Sequence, residues 1–274
     1  MADQSLRAVP TLVLFPIVMW LLVAATVFGW LGLRIRHEGG KVDSTGFKNT
    51  DLWVCISAVC YFLMIIYNGF GGPDHPVTTQ QIVRNGQVYL EILVLLGLFL
   101  RYRGIDPFRQ FGVTRVNVFR CMGVAIALMF CALSFTLLTE NLTIYAMHGK
   151  GEAQNVIEFF LDAAQRSDKK AMWLTGVLAV VVAPMVEETI FRGYLYGVFK
   201  RYLGGIGAAL LTAGLFGAMH LNLAALPALF VLALCLTVAY EATGSLLVNI
   251  FMHSFFNLTS LVVIVLLTNP NHPS

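Results

Sequence analysis

Charge is what this sequence has least of. Asp, Glu, Lys and Arg together make up 12% of the 274 residues, while 58% are hydrophobic. Ordinary soluble domains carry about twice that share of charge, so a soluble globular protein of this length is excluded. The alternative is an all-α polytopic bundle of transmembrane helices in the cell membrane, with the lipid bilayer as its surroundings. The net charge is only +3, and the basic residues sit in loops between apolar runs. They read as orientation signals, and no nucleic-acid partner is implied. Cysteine is sparse as well. Cys55, Cys60, Cys121, Cys131 and Cys235 are scattered through apolar runs without metal-type pairing, as expected of small buried packing residues. Internal repeats, low-complexity stretches and linkers are absent, so residues 1–274 form one integral membrane domain. The lack of paired repeats also argues against a transporter.

Eight apolar runs are present, ending near residues 33, 70, 100, 138, 188, 221, 240 and 267. The first, over 9–33, is too long for a signal peptide and is expected to be retained. The second ends in Gly71-Gly72-Pro73-Asp74-His75-Pro76, which cannot continue a helix. The third, over about 86–100, is short for a bilayer and carries Glu91, either lining a cavity or held by hydrogen bonds in packing. Between the fourth and fifth runs, Val156, Ile157, Phe160, Leu161 and Ala164 recur at helical spacing, an amphipathic helix suited to the interface. Gly193 and Gly197, four residues apart, permit close helix approach, as do Ala209, Ala213 and Gly217. The seventh run has no ionisable residue before Glu241 and reads as framework.

The fifth run ends in the most informative stretch, Ala183-Pro184-Met185-Val186-Glu187-Glu188-Thr189-Ile190-Phe191-Arg192-Gly193. On a helix Glu188 and Arg192 lie one turn apart on one face, so the arginine can neutralise that glutamate. Glu187 is turned about 100° away. An ionised carboxylate without a partner in a low-dielectric place costs several kcal/mol, which makes Glu187 a candidate general base. Pro184 is expected to kink the helix just before the carboxylates and open room there.

Two further polar groups interrupt apolar helices: His220, which ends Phe216-Gly217-Ala218-Met219-His220, and His253 with Asn257 one turn on. In a place with little water, such residues find their partners chiefly in one another. Two chemistries use this set. In one, Glu187 and His220 deprotonate a water while His253 and Asn257 hold the oxyanion of a tetrahedral intermediate. In the other, the histidines and a glutamate bind a divalent metal that polarises the water. The His-Glu-x-x-His spacing of metalloproteases is missing, and Ser245 and Ser254 lack a nucleophile-elbow context.

These three segments resemble, in order and spacing, the motifs of the CPBP family, also called the ABI or CAAX-protease and bacteriocin-processing family. The Glu-Glu-x-x-x-Arg motif falls on Glu187, Glu188 and Arg192, the second motif on Phe216-x-x-x-His220, and the third on His253-x-x-x-Asn257. The family core would span about 171–268. The resemblance implies a membrane bundle and glutamate-dependent peptide hydrolysis at or within the membrane. It assigns water activation to Glu187 and His220 and the oxyanion site to His253 and Asn257, with Glu188, Arg192 and Phe216 in support. It implies no cofactor, leaves a divalent metal open, and points to peptide or membrane-protein substrates. Because members also include bacteriocin self-immunity proteins and partners of other membrane proteins, a non-catalytic adaptor is the alternative. Placing the loops after runs one, three and five on one side gathers most of the basic residues there. That puts this side, and the Glu187 end of the fifth run, in the cytoplasm.

Overall fold

The computed structural model describes residues 11–69, 77–149 and 155–268, and every regular element among them is helical. The elements are α1 (Thr11–Glu38), α2 (Asn49–Gly69), α3 (Thr79–Tyr102), a single turn α4 (Pro107–Gln110), α5 (Val118–Ala146) and α6 (Asn155–Gln165). A continuous helical run follows, made of α7 (Lys169–Val177), the π-helical stretch π1 (Leu178–Val182), α8 (Ala183–Glu188), a second π-helical stretch π2 (Thr189–Tyr196) and α9 (Gly197–Ala218). Helices α10 (Leu226–Thr243) and α11 (Leu246–Thr268) complete the bundle. The expected turn at 71–76 lies outside the described residues.

Seven of these stretches are long and apolar enough to cross a membrane, one of them the 50-residue run Lys169–Ala218. The protein is a multi-pass membrane protein. That run is not straight. Gly204 has φ 72° and ψ 172°, which L side chains rarely adopt, and the chain doubles back there. The rings of Phe191 and Phe216 lie 5.3 Å apart, whereas 25 residues of straight helix would separate them by about 37 Å. The seven stretches therefore supply eight limbs, in keeping with the eight apolar runs.

The fold-back corrects one expectation. The fifth run does not stop at Glu188 but continues to Gly204, so the carboxylates sit about 24 Å from that end and face the middle of the bundle. Pro184 does not interrupt the helix either. The main chain widens into π1, where the Ala183 amide donates to Leu178 O, five residues back, and the dihedrals stay helical. The extra residue per turn accommodates a proline that a regular ladder would not.

Helix α5 packs against α1, α10 and α11; α9 packs against α10; and α3 runs along α7, π1 and α8. Helix α3 is longer than its apolar run. Its polar first turn is fixed by a capping box in which Thr78 and Gln81 satisfy each other's backbone amides. Glu91 neither lines a cavity nor packs; it is exposed on the outer face of α3. The apolar stripe of α6 packs inward, with Phe159, Phe160 and Ala163 buried, and Phe159 and Ala163 join Ile82, Ala171 and Leu178 in one cluster. Four cysteines are buried as expected, but Cys60 is exposed.

The loops after α1 and α3 meet the Gly204 end of the fold-back, as the charge pattern requires. Gln110 Nε2 donates to Asp43 O at 2.7 Å, Arg115 to Lys41 O at 3.0 Å and Lys200 Nζ to Val42 O at 2.9 Å. Glu241, which follows the seventh run, is buried at the centre of this junction. It accepts from Tyr196 Oη at 2.5 Å and pairs with Lys200 Nζ at 2.5 Å. Gly197 is what lets the loop close. A Cβ there would lie 2.6 Å from the ring of Phe47, a loop residue with no exposed surface.

Candidate active site

The Glu-Glu-x-x-x-Arg segment runs from the end of α8 into π2, facing α11 on one side and α3 on the other. Glu188 and Arg192 form the expected pair at 2.7 Å, with side chains 0% and 1% exposed. So deep a pair needs further hydrogen bonds to repay its desolvation, and α11 supplies them. His253 Nδ1 lies 2.9 Å from Glu188 Oε1, and Asn249 Nδ2 donates to Glu188 Oε2 at 3.4 Å and to Leu236 O at 2.7 Å. Among the described residues Arg192 Nη2 finds no hydrogen-bond partner, though it is buried. Its guanidinium carbon lies 4.4 Å from the centroid of the Phe216 ring, whose π face takes the place of an acceptor.

Phe216 is the hub of the aromatic contacts. Besides Arg192 and Phe191, its ring stands 5.0 Å from that of His220 and 5.7 Å from that of His253. It thus brings the second limb of the fold-back against the first. His220 is oriented by its own helix, with Nδ1 2.8 Å from Phe216 O. A carbonyl only accepts, so Nδ1 carries the proton, and Nε2 is the nitrogen left for a further partner.

Glu187 points away from Glu188, as helix geometry requires. It is partly accessible, with a side chain 17% exposed. Oε1 accepts from Tyr89 Oη of α3 at 3.3 Å, and Oε2 faces His253 Nε2 at 3.9 Å. His253 therefore stands between the two glutamates.

Asn257 is placed by Pro184. The π-type ladder that joins the Ala183 amide to Leu178 O would next join residue 184 to Ala179 O, but proline has no N–H. Asn257 Nδ2 donates to that orphaned carbonyl at 2.8 Å. One amide hydrogen is committed there, and among the described residues the second has no acceptor. Beside this contact an apolar groove of about 660 Å³ runs between α7–π1 and the outer half of α11, lined by Met172, Trp173, Val181, Leu258 and Val262 among others.

Glu187, Glu188, Arg192, Phe216 and His253 thus meet in one place, with His220 beside Phe216 and Asn257 one turn beyond His253. They do not all pair as expected, since His220 bonds its own helix and Asn257 bonds π1. Among the described residues no group of three or more His, Cys, Asp or Glu side chains is spaced to hold a metal ion.

Residues 169–259 match the family model for type II CAAX prenyl endopeptidase Rce1-like proteins. This Rce1-like segment contains all seven residues above and both limbs of the fold-back. An uncharacterized 24.3 kDa protein of Escherichia coli is 39% identical over 85 residues, which cover 29% of this chain and 39% of that protein. The match therefore spans well under half the length of that relative. No solved structure matches the chain.

Three residues of the site and its surroundings were missed in the sequence. Tyr89 lies in α3, outside the Rce1-like segment and far from the three motifs in sequence. Asn249 was legible in principle, because it stands one turn before His253 on the same face of an apolar helix. Glu241 had only its charge to announce it.

Proposed function

We propose that the protein is a membrane endopeptidase in which Glu187 activates water to cleave peptide bonds at or within the membrane. The observation that carries this reading is the contrast between the two glutamates. Glu188 is sealed, neutralised by Arg192 and hydrogen-bonded by His253 and Asn249, while Glu187 is partly accessible and among the described residues makes no ion pair within its own helix. An accessible carboxylate backed by a rigid charged network has what a general base needs.

In this mechanism Glu187 takes a proton from water as the oxygen bonds to the scissile carbonyl carbon. The Nε2 lone pair of His220 holds the second water hydrogen. Charge then develops on the carbonyl oxygen. The second amide hydrogen of Asn257 and an Nε2 proton on His253 would meet it, the Nδ1 proton of His253 being held by Glu188. Collapse breaks the C–N bond, and the proton on Glu187 passes to the leaving amine. The apolar groove beside Asn257 suits a substrate whose flanking groups approach through the bilayer. Neither a cofactor nor a partner protein enters these steps.

The test is Glu187→Gln, which keeps side-chain volume and removes the base. Membrane peptides cleaved in cells carrying the wild type should accumulate intact, with turnover reduced about a hundredfold to ten-thousandfold and expression unchanged. Turnover that survives the substitution would leave the adaptor reading standing. Turnover lost to a chelator and restored by zinc would reassign the histidines as metal ligands.

A further inference from the structure

Glu187 has a flexible side chain at the accessible edge of the site, and its own helix does not restrain it. Glu188 and Arg192 face the other way and bond each other. His253 Nε2, 3.9 Å from Oε2, is beyond hydrogen-bond reach. Among the described residues the hydrogen bond that fixes the Glu187 carboxylate comes from Tyr89 Oη to Oε1. We propose that Tyr89 is the positioning residue for Glu187, and that α3, outside the Rce1-like segment, is therefore an integral part of the site. This rests on the reading of Glu187 as the base.

The placement of Tyr89 follows from the packing of α3. Ile82, Gly86 and Tyr89 are spaced by four and three residues and share one helical face. Ile82 is buried against α6 and α7. Gly86 removes a side chain where α3 meets π1, since a Cβ there would already touch Leu178 Cδ1 at 3.6 Å. One turn further on, Tyr89 joins the same cluster, and its ring carries the hydroxyl across to Glu187. A phenol donates to a carboxylate, so the contact selects the ionised, proton-accepting form. Holding Oε1 leaves Oε2 toward His253, the side on which water and the carbonyl would meet. Without the phenol, Glu187 can swing onto His253 and close the site into a structural ion pair.

Two measurements on the full-length protein in detergent test the proposal. The first needs no substrate: the infrared carboxylate absorption that disappears in Glu187→Gln should shift in Tyr89→Phe and return when 3-fluorotyrosine is incorporated at position 89. The second uses a fluorogenic peptide ending in S-farnesylcysteine followed by three residues. Tyr89→Phe should lower kcat about tenfold through misorientation of the base, with KM within about twofold of wild type and an unchanged melting temperature. 3-Fluorotyrosine should restore kcat. An unmoved infrared band overturns the proposal, and this holds even if the peptide is not cleaved. So does wild-type kcat in Tyr89→Phe when Glu187→Gln is inactive, which would leave the base assignment intact. Wild-type kcat in Glu187→Gln would sink both.

Discussion

Removing Arg192 should damage the protein in a way that removing Glu187 does not. Arg192→Ala strands Glu188, whose side chain has no exposed surface, as a carboxylate without its cation. Breaking one partner of such a buried pair costs about 3 to 5 kcal/mol. Loss of the guanidinium from the Phe216 face, 4.4 Å away, adds up to about 2 kcal/mol. The remaining donors, His253 at 2.9 Å and Asn249 at 3.4 Å, keep the carboxylate hydrogen-bonded and hold the total near the lower end, about 3 kcal/mol. The double variant Glu188→Gln/Arg192→Met removes both charges and fills the same volume, so it should recover most of that loss. Unfolding by titration of denaturing detergent into mixed micelles, followed by circular dichroism, measures all three. The reasoning fails if Arg192→Ala unfolds within about 1 kcal/mol of wild type, or if the double variant is less stable than Arg192→Ala.

Pro184→Ala returns an N–H to the main chain beside Ala179 O, so Asn257→Ala should cost less stability in that background than alone. The expected coupling is about 0.5 to 1.5 kcal/mol in the same unfolding assay, and strictly additive effects would refute the link. Cysteines placed singly at Thr45 and Ile105 should be labelled from the same, cytoplasmic side by an impermeant reagent, and labelling from opposite sides would overturn the arrangement of the loops.

How much of this was legible beforehand depends on how far apart in the chain the partners lie. Glu188 and Arg192 are four residues apart and could be paired from spacing alone, as could the small-residue stripes, of which Gly217 does bring α9 against the α10 backbone. The fold-back was half visible. Two apolar runs were plain, but helical propensity carries straight through Glu188 to Gly204, so the end of the fifth run was set too early. Pro184 was read by its usual effect on a regular helix, and nothing local announces a π stretch that absorbs it. Tyr89, 98 residues from Glu187, and Glu241, 45 residues from Tyr196, depend on tertiary packing that no short window contains. His220 and Asn257 were found for their polarity in apolar surroundings, yet their actual acceptors are backbone carbonyls, which sequence does not distinguish.

The junction around Glu241 also sets an order of events during synthesis. Val42 N and Glu241 are 199 residues apart, and the loop's ties to Lys200 and Arg201 span 158 and 156 residues. At ribosomal speeds of about 5 to 20 residues per second, the loop between α1 and α2 waits about 10 to 40 s for its partners to emerge. The first three helices therefore enter the membrane without the contacts that later join them to the Rce1-like segment, and Tyr89 meets Glu187 only in the second half of translation. The candidate site is therefore completed only after the Rce1-like segment has been made and docked against α3.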